Sequence, residues 1–283
     1  MVFTVFWLIL LLACFVTLTS TMFLFADLLT RSPDDTPQGF RGIAHVSGIL
    51  TVAMVTCFIG HTVAFFSVPF GYLPWRLRTI KGRKLSGVPV VFVHGLYHSS
   101  AAWFAFRFRI GTIGRRPTFA LTYPSFFQNI DTICSRLEDT IETALKETEQ
   151  KHVILVGHSL GGLVIRRYLT TSQQAHAVAG IVTLGTPHRG SILAHLATGH
   201  LGRSIAPDGA LIKKLEQHPL PNIPKMCLYS CIDNMVVPGK NLIPRDSGWV
   251  IEATAPVSHT FMLIYPPVIR RVRQLLDALD PVA

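Results

Sequence analysis

Two stretches of the 283-residue chain carry no Asp, Glu, Lys or Arg at all: residues 2–26, a run of 25, and residues 42–75, a run of 34. An α-helix rises 1.5 Å per residue, so about 20 apolar residues cross the roughly 30 Å hydrocarbon core of a bilayer. Both stretches are long enough, and they predict two transmembrane helices at about 2–26 and 43–70. The first has Phe3, Phe6 and Trp7 at one end and Phe23 and Phe25 at the other. It lacks the basic n-region and the short apolar run of a secretory signal. Leu11-Leu12-Ala13-Cys14 resembles a lipoprotein processing site, but no Lys or Arg precedes it. In the second stretch only His45 and His61 titrate near neutral pH. Lying toward opposite ends, they read as interfacial or interhelical hydrogen-bonding groups and are assigned no chemical role.

The net charge of +10 is concentrated beside these runs. Arg76, Arg78, Lys81, Arg83 and Lys84 follow the second run with no acid among them, whereas residues 27–41 hold three acids and two bases. The positive-inside rule therefore puts this flank, and everything after it, in the cytoplasm, with the short link outside. Beyond residue 86 the chain holds 19 basic and 13 acidic side chains, a mild bias, and no nucleic-acid recognition motif accompanies it. The basic cluster reads as contact with membrane lipids and not with nucleic acid. Five cysteines, Cys14, Cys57, Cys134, Cys227 and Cys231, match no metal spacing and read as reduced thiols.

The chain thus divides into a membrane anchor (residues 1–74), a basic linker (75–87) and a larger part (88–283). In the last, short β-branched runs at 88–93, 118–122, 152–156, 180–184, 225–229 and 249–252 read as strands, and 130–149, 160–170 and 267–279 as helices. This alternation predicts an α/β fold, a mostly parallel sheet with helices on both faces.

The chemistry centres on Val153-Ile154-Leu155-Val156-Gly157-His158-Ser159-Leu160-Gly161-Gly162-Leu163. A strand runs into a G-x-S-x-G turn and a helix leaves it, which is the setting of a strained nucleophile elbow. Ser159 would then stand at a helix N-terminus, where backbone N–H groups favour developing negative charge. A serine hydroxyl needs a base and an orienting acid, in chain order Ser, Asp, His for such a sheet. His259 follows the last expected strand, and Asp233 follows the strand at 225–229. Asp246 and Asp208 are the substitutes for the acid. Asp246 sits in the polar turn Pro244-Arg245-Asp246-Ser247-Gly248, where an Asp tends to cap its own backbone. The His94-Gly95-Leu96 turn, after the first strand, can bring the Leu96 N–H beside the Leu160 N–H as an oxyanion hole.

These residues resemble the α/β-hydrolase family and, within it, bacterial lipases and esterases with a GHSLGG elbow. The resemblance covers about residues 88–279 and rests on His94-Gly95, Gly157 to Gly162, Thr186-Pro187-His188-Arg189-Gly190-Ser191, Asp233 with Val237-Pro238, and Ser258-His259. It implies a serine carboxylester hydrolase (lipase or esterase) acting on a lipid-like acyl ester, without a cofactor. Acyl transfer to another acceptor would use the same groups, and a non-catalytic membrane scaffold with a hydrolase shell is the third reading. Relatives of this kind often bind calcium near the catalytic histidine, but Thr260, Phe261 and Met262 supply no acid here, so no metal is expected. His188, His195 and His200 lack ligand spacing. Residues 189–224 fall where such folds insert a cap and read as an acyl-chain cover, the alternative being a surface excursion. Trp103, Phe104, Phe106 and Phe108 read equally as pocket lining or as core.

Overall fold

A computed structural model of the chain describes residues 2–31, 43–73 and 85–280. Six strands, β1 (Val90–Val93), β2 (Thr118–Leu121), β3 (Val153–His158), β4 (Val178–Leu184), β5 (Lys225–Tyr229) and β6 (Trp249–Ala253), form one sheet in the order 2-1-3-4-5-6. All five pairings are parallel. A parallel sheet needs both faces covered, and the central strands show why their residues can only be strands of this kind. Val91 and Val93 of β1, with Val153 and Leu155 of β3, join a core beneath helices Ile130–Thr148 and Leu160–Thr171. Val90, Phe92, Ile154 and Val156 point the other way, into a second core with Ile269, Val272 and Leu276 of helix Pro266–Ala278. The period of 2 along each strand thus feeds two apolar layers at once.

Two local features of the sequence set the helix ends. Asn129 caps helix Ile130–Thr148 by accepting the Thr132 N–H at 2.8 Å. The same helix stops at Glu149, in the left-handed region at φ 54°.

Of the four aromatics at 103–108, Trp103 and Phe106 are core: the Trp103 ring stacks on Phe92 at 4.7 Å and the Phe106 ring meets Phe92 at 6.0 Å. Phe104 and Phe108 are exposed. The stretch read as a cap folds as a 3-10 turn at Ile192–Leu196 and two short α-helices, His200–Arg203 and Ala210–Glu216.

The two apolar stretches form helices α1 (Val2–Thr30) and α2 (Ile43–Ser67), the latter continuing as a 3-10 turn at Val68–Tyr72 that takes in Pro69. They pack on each other and along the α/β part. Leu24, Ile49 and Ala53 bury Ile232. Farther along, Thr122 Oγ1 donates to Gly71 O at 3.0 Å, and Ser99 Oγ donates to Val68 O at 2.9 Å.

One expectation is corrected here. Asp27 and Arg31, counted in an external link, belong to the end of α1 and pair with each other at 2.7 Å. Arg31 Nη1 donates to Cys231 O at 2.9 Å, and Asp27 Oδ2 accepts the Gly239 N–H at 3.1 Å. The start of the link therefore lies against the α/β part. The basic residues Arg76, Arg78, Lys81, Arg83 and Lys84 and most of the link lie outside the described residues.

Candidate active site

The sheet order reverses between β1 and β3, and an open parallel sheet forms its crevice beyond the carboxyl ends of such neighbours. Val93 of β1 pairs with Gly157 of β3, so the turns that leave the two strands stand side by side. Ser159, directly after β3, has φ 55° and ψ −125°, a backbone strain expected of a nucleophile elbow. Such a turn is possible only if its flanks are bare: a Cβ on Gly157 would come within 2.6 Å of Gly162 N, and one on Gly161 would run into the Val93 carbonyl. The Ser159 N–H donates to Leu184 O at 2.9 Å, tying the elbow to β4.

The other expected residues converge on this point. His259 Nδ1 and Asp233 Oδ2 are 2.6 Å apart, both buried, and Asp233 Oδ1 accepts the Met235 and Val236 N–H groups at 2.9 and 3.0 Å. With its second oxygen occupied by backbone, the carboxylate has one oxygen left for the imidazole, which fixes its Nδ1 as the donor. Ser159 and His259 line the same cavity. The turn below them must also be glycine: a Cβ on Gly185, at φ 53°, would lie 3.0 Å from Asp233 Oδ2.

Leu160 opens helix Leu160–Thr171, so its N–H belongs to the first turn and has no partner within the helix. Across from it, a Cβ on Gly95 would stand 3.0 Å from Ser159 Cβ, and Leu96 follows in the cavity wall. The next amide, Tyr97 N–H, is taken by Ser125 Oγ at 2.8 Å. Leu96 and Leu160 thus both stand next to Ser159, one in the turn after β1 and one at the start of the helix.

The substitute acids do not converge. Asp246 accepts from Arg166 Nη2 at 3.0 Å and from Trp249 Nε1 at 2.8 Å, while Asp208 is exposed. Burial pushes the Arg166 guanidinium below its ordinary value and Asp246 pulls it back up. Arg166 also donates to His188 Nδ1 at 3.1 Å, and His188 Nε2 lies 3.2 Å from Thr183 Oγ1. His188 is therefore a brace between helix and sheet, held neutral because burial drives its pKa well below the usual value. Among the described residues no three His, Cys, Asp or Glu side chains gather as metal ligands.

Three further residues brace the site; the sequence names His94 and His158 only as parts of their motifs, without a role, and does not single out Asn234. His94 donates from Nδ1 to Gly95 O at 2.7 Å and accepts the Tyr123 N–H at Nε2, 3.2 Å away, so its neutral tautomer holds the loop before Leu96. Burial lowers its pKa to about 3, which keeps it neutral. His158 donates from Nε2 to His259 O at 3.1 Å, its pKa pushed well down first by burial and then by the neighbouring His259. Asn234 accepts the His259 N–H. The signal for the first two was their place beside Gly95 and Ser159; Asn234 stands next to Asp233 in the chain.

The cavity has a volume of about 340 Å³ and is predominantly apolar. The α/β part contributes Leu96, Leu193, Ile205 and Leu263, and the helix pair contributes Phe15, Val16, Ala64 and Phe65.

The chain belongs to the alpha/beta hydrolase family, whose sequence profile matches residues 90–278. Solved structures agree on the fold. The mature lipase BlEst2 of Bacillus licheniformis is 22% identical with a TM-score of 0.58, the match covering 69% of this chain and 94% of that one. Aspergillus fumigatus lipase B is 17% identical with a TM-score of 0.58 over 68% of this chain and 52% of that one. A soluble variant of the Saccharomyces cerevisiae monoglyceride lipase, in complex with a substrate analog, is 10% identical with a TM-score of 0.52 over 71% and 89%. No curated protein sequence gives a significant match.

The two carboxylates should separate experimentally. Asp233→Asn should lower kcat by roughly ten-thousandfold, through the wrong imidazole tautomer, with Tm nearly unchanged. Asp246→Asn should leave kcat within about tenfold but cost roughly 1–3 kcal/mol of stability, because it takes the carboxylate from buried Arg166. Steady-state kinetics and thermal unfolding of the two variants check this, and the reverse pattern would mean the acid is misassigned.

Proposed function

We propose that the protein is a membrane-anchored serine carboxylester hydrolase that cleaves lipid-like acyl esters through an acyl-enzyme. The observation that carries this is the buried Asp233 and His259 pair opening, with the strained Ser159, onto an apolar cavity. Ser159 Oγ attacks the ester carbonyl carbon. His259 Nε2, the ring nitrogen not engaged by Asp233, takes the hydroxyl proton and passes it to the leaving alkoxide. Leu96 and Leu160 N–H groups stabilise the oxyanion of the tetrahedral intermediate. Water, activated by the same imidazole, then attacks the acyl-enzyme carbonyl, and the proton returns to Ser159 as the acid leaves.

The cavity argues for an aliphatic acyl group over a polar one, since its wall offers few partners for hydrogen bonds. The 3-10 turn at Ile192–Leu196 and the helix His200–Arg203 cover it from one side, consistent with a cap over the acyl chain.

The membrane reading rests on the outer face of α1 and α2, which are long and apolar enough to cross a bilayer. Phe3, Leu11, Leu18, Met22 and Phe25 of α1 are exposed and recur at spacings of three, four or multiples of the helical turn. With the inner face against the α/β part and Asp27 and Arg31 tied to its loops, the hairpin dips its outer face into lipid, and the link stays on the side of the α/β part. The basic flank argues that this side is the cytoplasm.

Two outcomes are expected. A fluorophosphonate probe should label Ser159 alone, Ser159→Ala should retain less than about a thousandth of the ester hydrolysis, and an acyl-length series should favour medium or long chains. Labelling elsewhere, or an acceptor other than water dominating the products, would contradict hydrolysis at this serine. Carbonate extraction should leave the protein in the membrane, a reporter after Ala283 should read cytoplasmic, and a cysteine placed in residues 32–41 should be modified from that same side. Modification of that cysteine only from the opposite side would contradict the arrangement.

A further inference from the structure

Of four consecutive residues around the histidine, three touch the helix hairpin directly and His259 is held through Asn234. The Ser258 N–H donates to Thr56 Oγ1 at 3.0 Å, and that hydroxyl donates its own proton to Val52 O at 2.7 Å, so its accepting role is defined. The His259 N–H donates to Asn234 Oδ1 at 3.2 Å. Thr260 Oγ1 lies 3.4 Å from His61 Nε2. At Phe261 the contact is backbone on backbone: a Cβ on Gly60 would approach Phe261 N to 2.8 Å.

Asn234 links these contacts to the acid. It is fully buried and follows Asp233 directly. Its Nδ2 donates to Ser20 Oγ of α1 at 2.5 Å and to Cys57 Sγ of α2 at 3.0 Å. A backbone N–H can only donate, so the amide oxygen must face His259 and the amide NH2 must face the hairpin. One side chain thereby ties both helices to the main chain of the histidine. Ser20, Thr56 and His61 each bond a carbonyl of their own helix and, beyond it, each meets a partner in a triad loop. His61, read from sequence as an interfacial or interhelical hydrogen-bonding group without a chemical role, reaches Thr260 of the histidine loop.

We propose that Asn234 is a positioning residue through which the hairpin of α1 and α2 sets His259 against Asp233 and Ser159, making the hairpin a working part of the active site; this rests on the serine-hydrolase reading above. Residues 230–238 and 254–259 are loops without regular ladders of their own. Segments of that kind open locally at low cost unless something outside them holds them. A displacement of about 1 Å in a catalytic group can cost roughly 100-fold in rate.

The test uses the full chain in detergent, with kcat and KM on a short chromogenic ester and the rate of fluorophosphonate labelling. Asn234→Ala should lower kcat by about 100-fold, and Thr56→Val by about tenfold, with KM within about threefold of wild type. Thr56→Ser, which keeps the acceptor for Ser258, should restore kcat to within about twofold. If Asn234→Ala fails to fold, the Thr56 pair decides, since it alters only a half-buried helix residue outside the sheet and its two cores. Unchanged kcat in Thr56→Val, a loss confined to KM, or equal impairment of Thr56→Ser would overturn the role. A wild-type enzyme that the probe does not label overturns the hydrolase reading itself, whereas a labelled wild type with unaffected variants overturns the positioning role alone.

Discussion

The constraint on which the rest of the structure depends is the turn at Ser159. A non-glycine residue at φ 55° is held there because β3 on one side and the Leu160 to Leu169 part of the following helix on the other are buried and cannot relax. Gly157 and Gly161 let the helix approach β1 and β3 at backbone distance, and that approach is what brings the turn after β1 beside the serine. From it follow the placement of Leu96 and Leu160, the register of the switch crevice, and the position a histidine must reach from the far side of the sheet. The neutral histidines around the crevice are consequences of the same burial. His94 and His158 each hold one loop by a defined tautomer, and burial keeps both from acquiring a proton that would break it.

The hairpin completes this arrangement from outside the sheet. Its inner faces supply hydrogen bonds to the loops carrying Asp233 and His259, together with part of the cavity wall; its outer faces are apolar. Were its outer faces set in lipid as proposed, an element that is also a wall of the cavity would offer an acyl chain a route from bilayer to serine along apolar surface, with little exposure to water. The apolar runs, which look in sequence like an anchor separate from the chemistry, therefore help to build the cavity and hold the loops of Asp233 and His259.

How much of this could be read from residues alone varies with the physics involved. The six strands were legible to within a few residues because β-branched runs such as Val90–Val93 and Val153–His158 have no other comfortable conformation. The elbow was legible because its glycines are a steric necessity, and the preference for Asp233 over Asp246 came from position after a strand. The topology of the helix pair was not. Charge counting treated Asp27 and Arg31 as solvent-facing link, when their charges are spent on each other and on Cys231 O and the Gly239 N–H. The polar seam was also missed, since Ser20, Thr56 and His61 gain meaning only from partners some 200 residues away in the chain. The spacing of Thr17, Ser20, Thr21 and Leu24 on one buried face of α1 was the available signal.

The most direct measurement is an experimental structure of the full chain in lipid nanodiscs after reaction with a long-chain alkyl phosphonate. The phosphorus should be bonded to Ser159 Oγ, with a phosphonyl oxygen between the Leu96 and Leu160 N–H groups and the alkyl chain lying against Phe15, Val16, Ala64 and Phe65. An alkyl chain running away from both helices, with α1 and α2 separated from the loops at Asn234 and Ser258, would contradict a hairpin that builds the site.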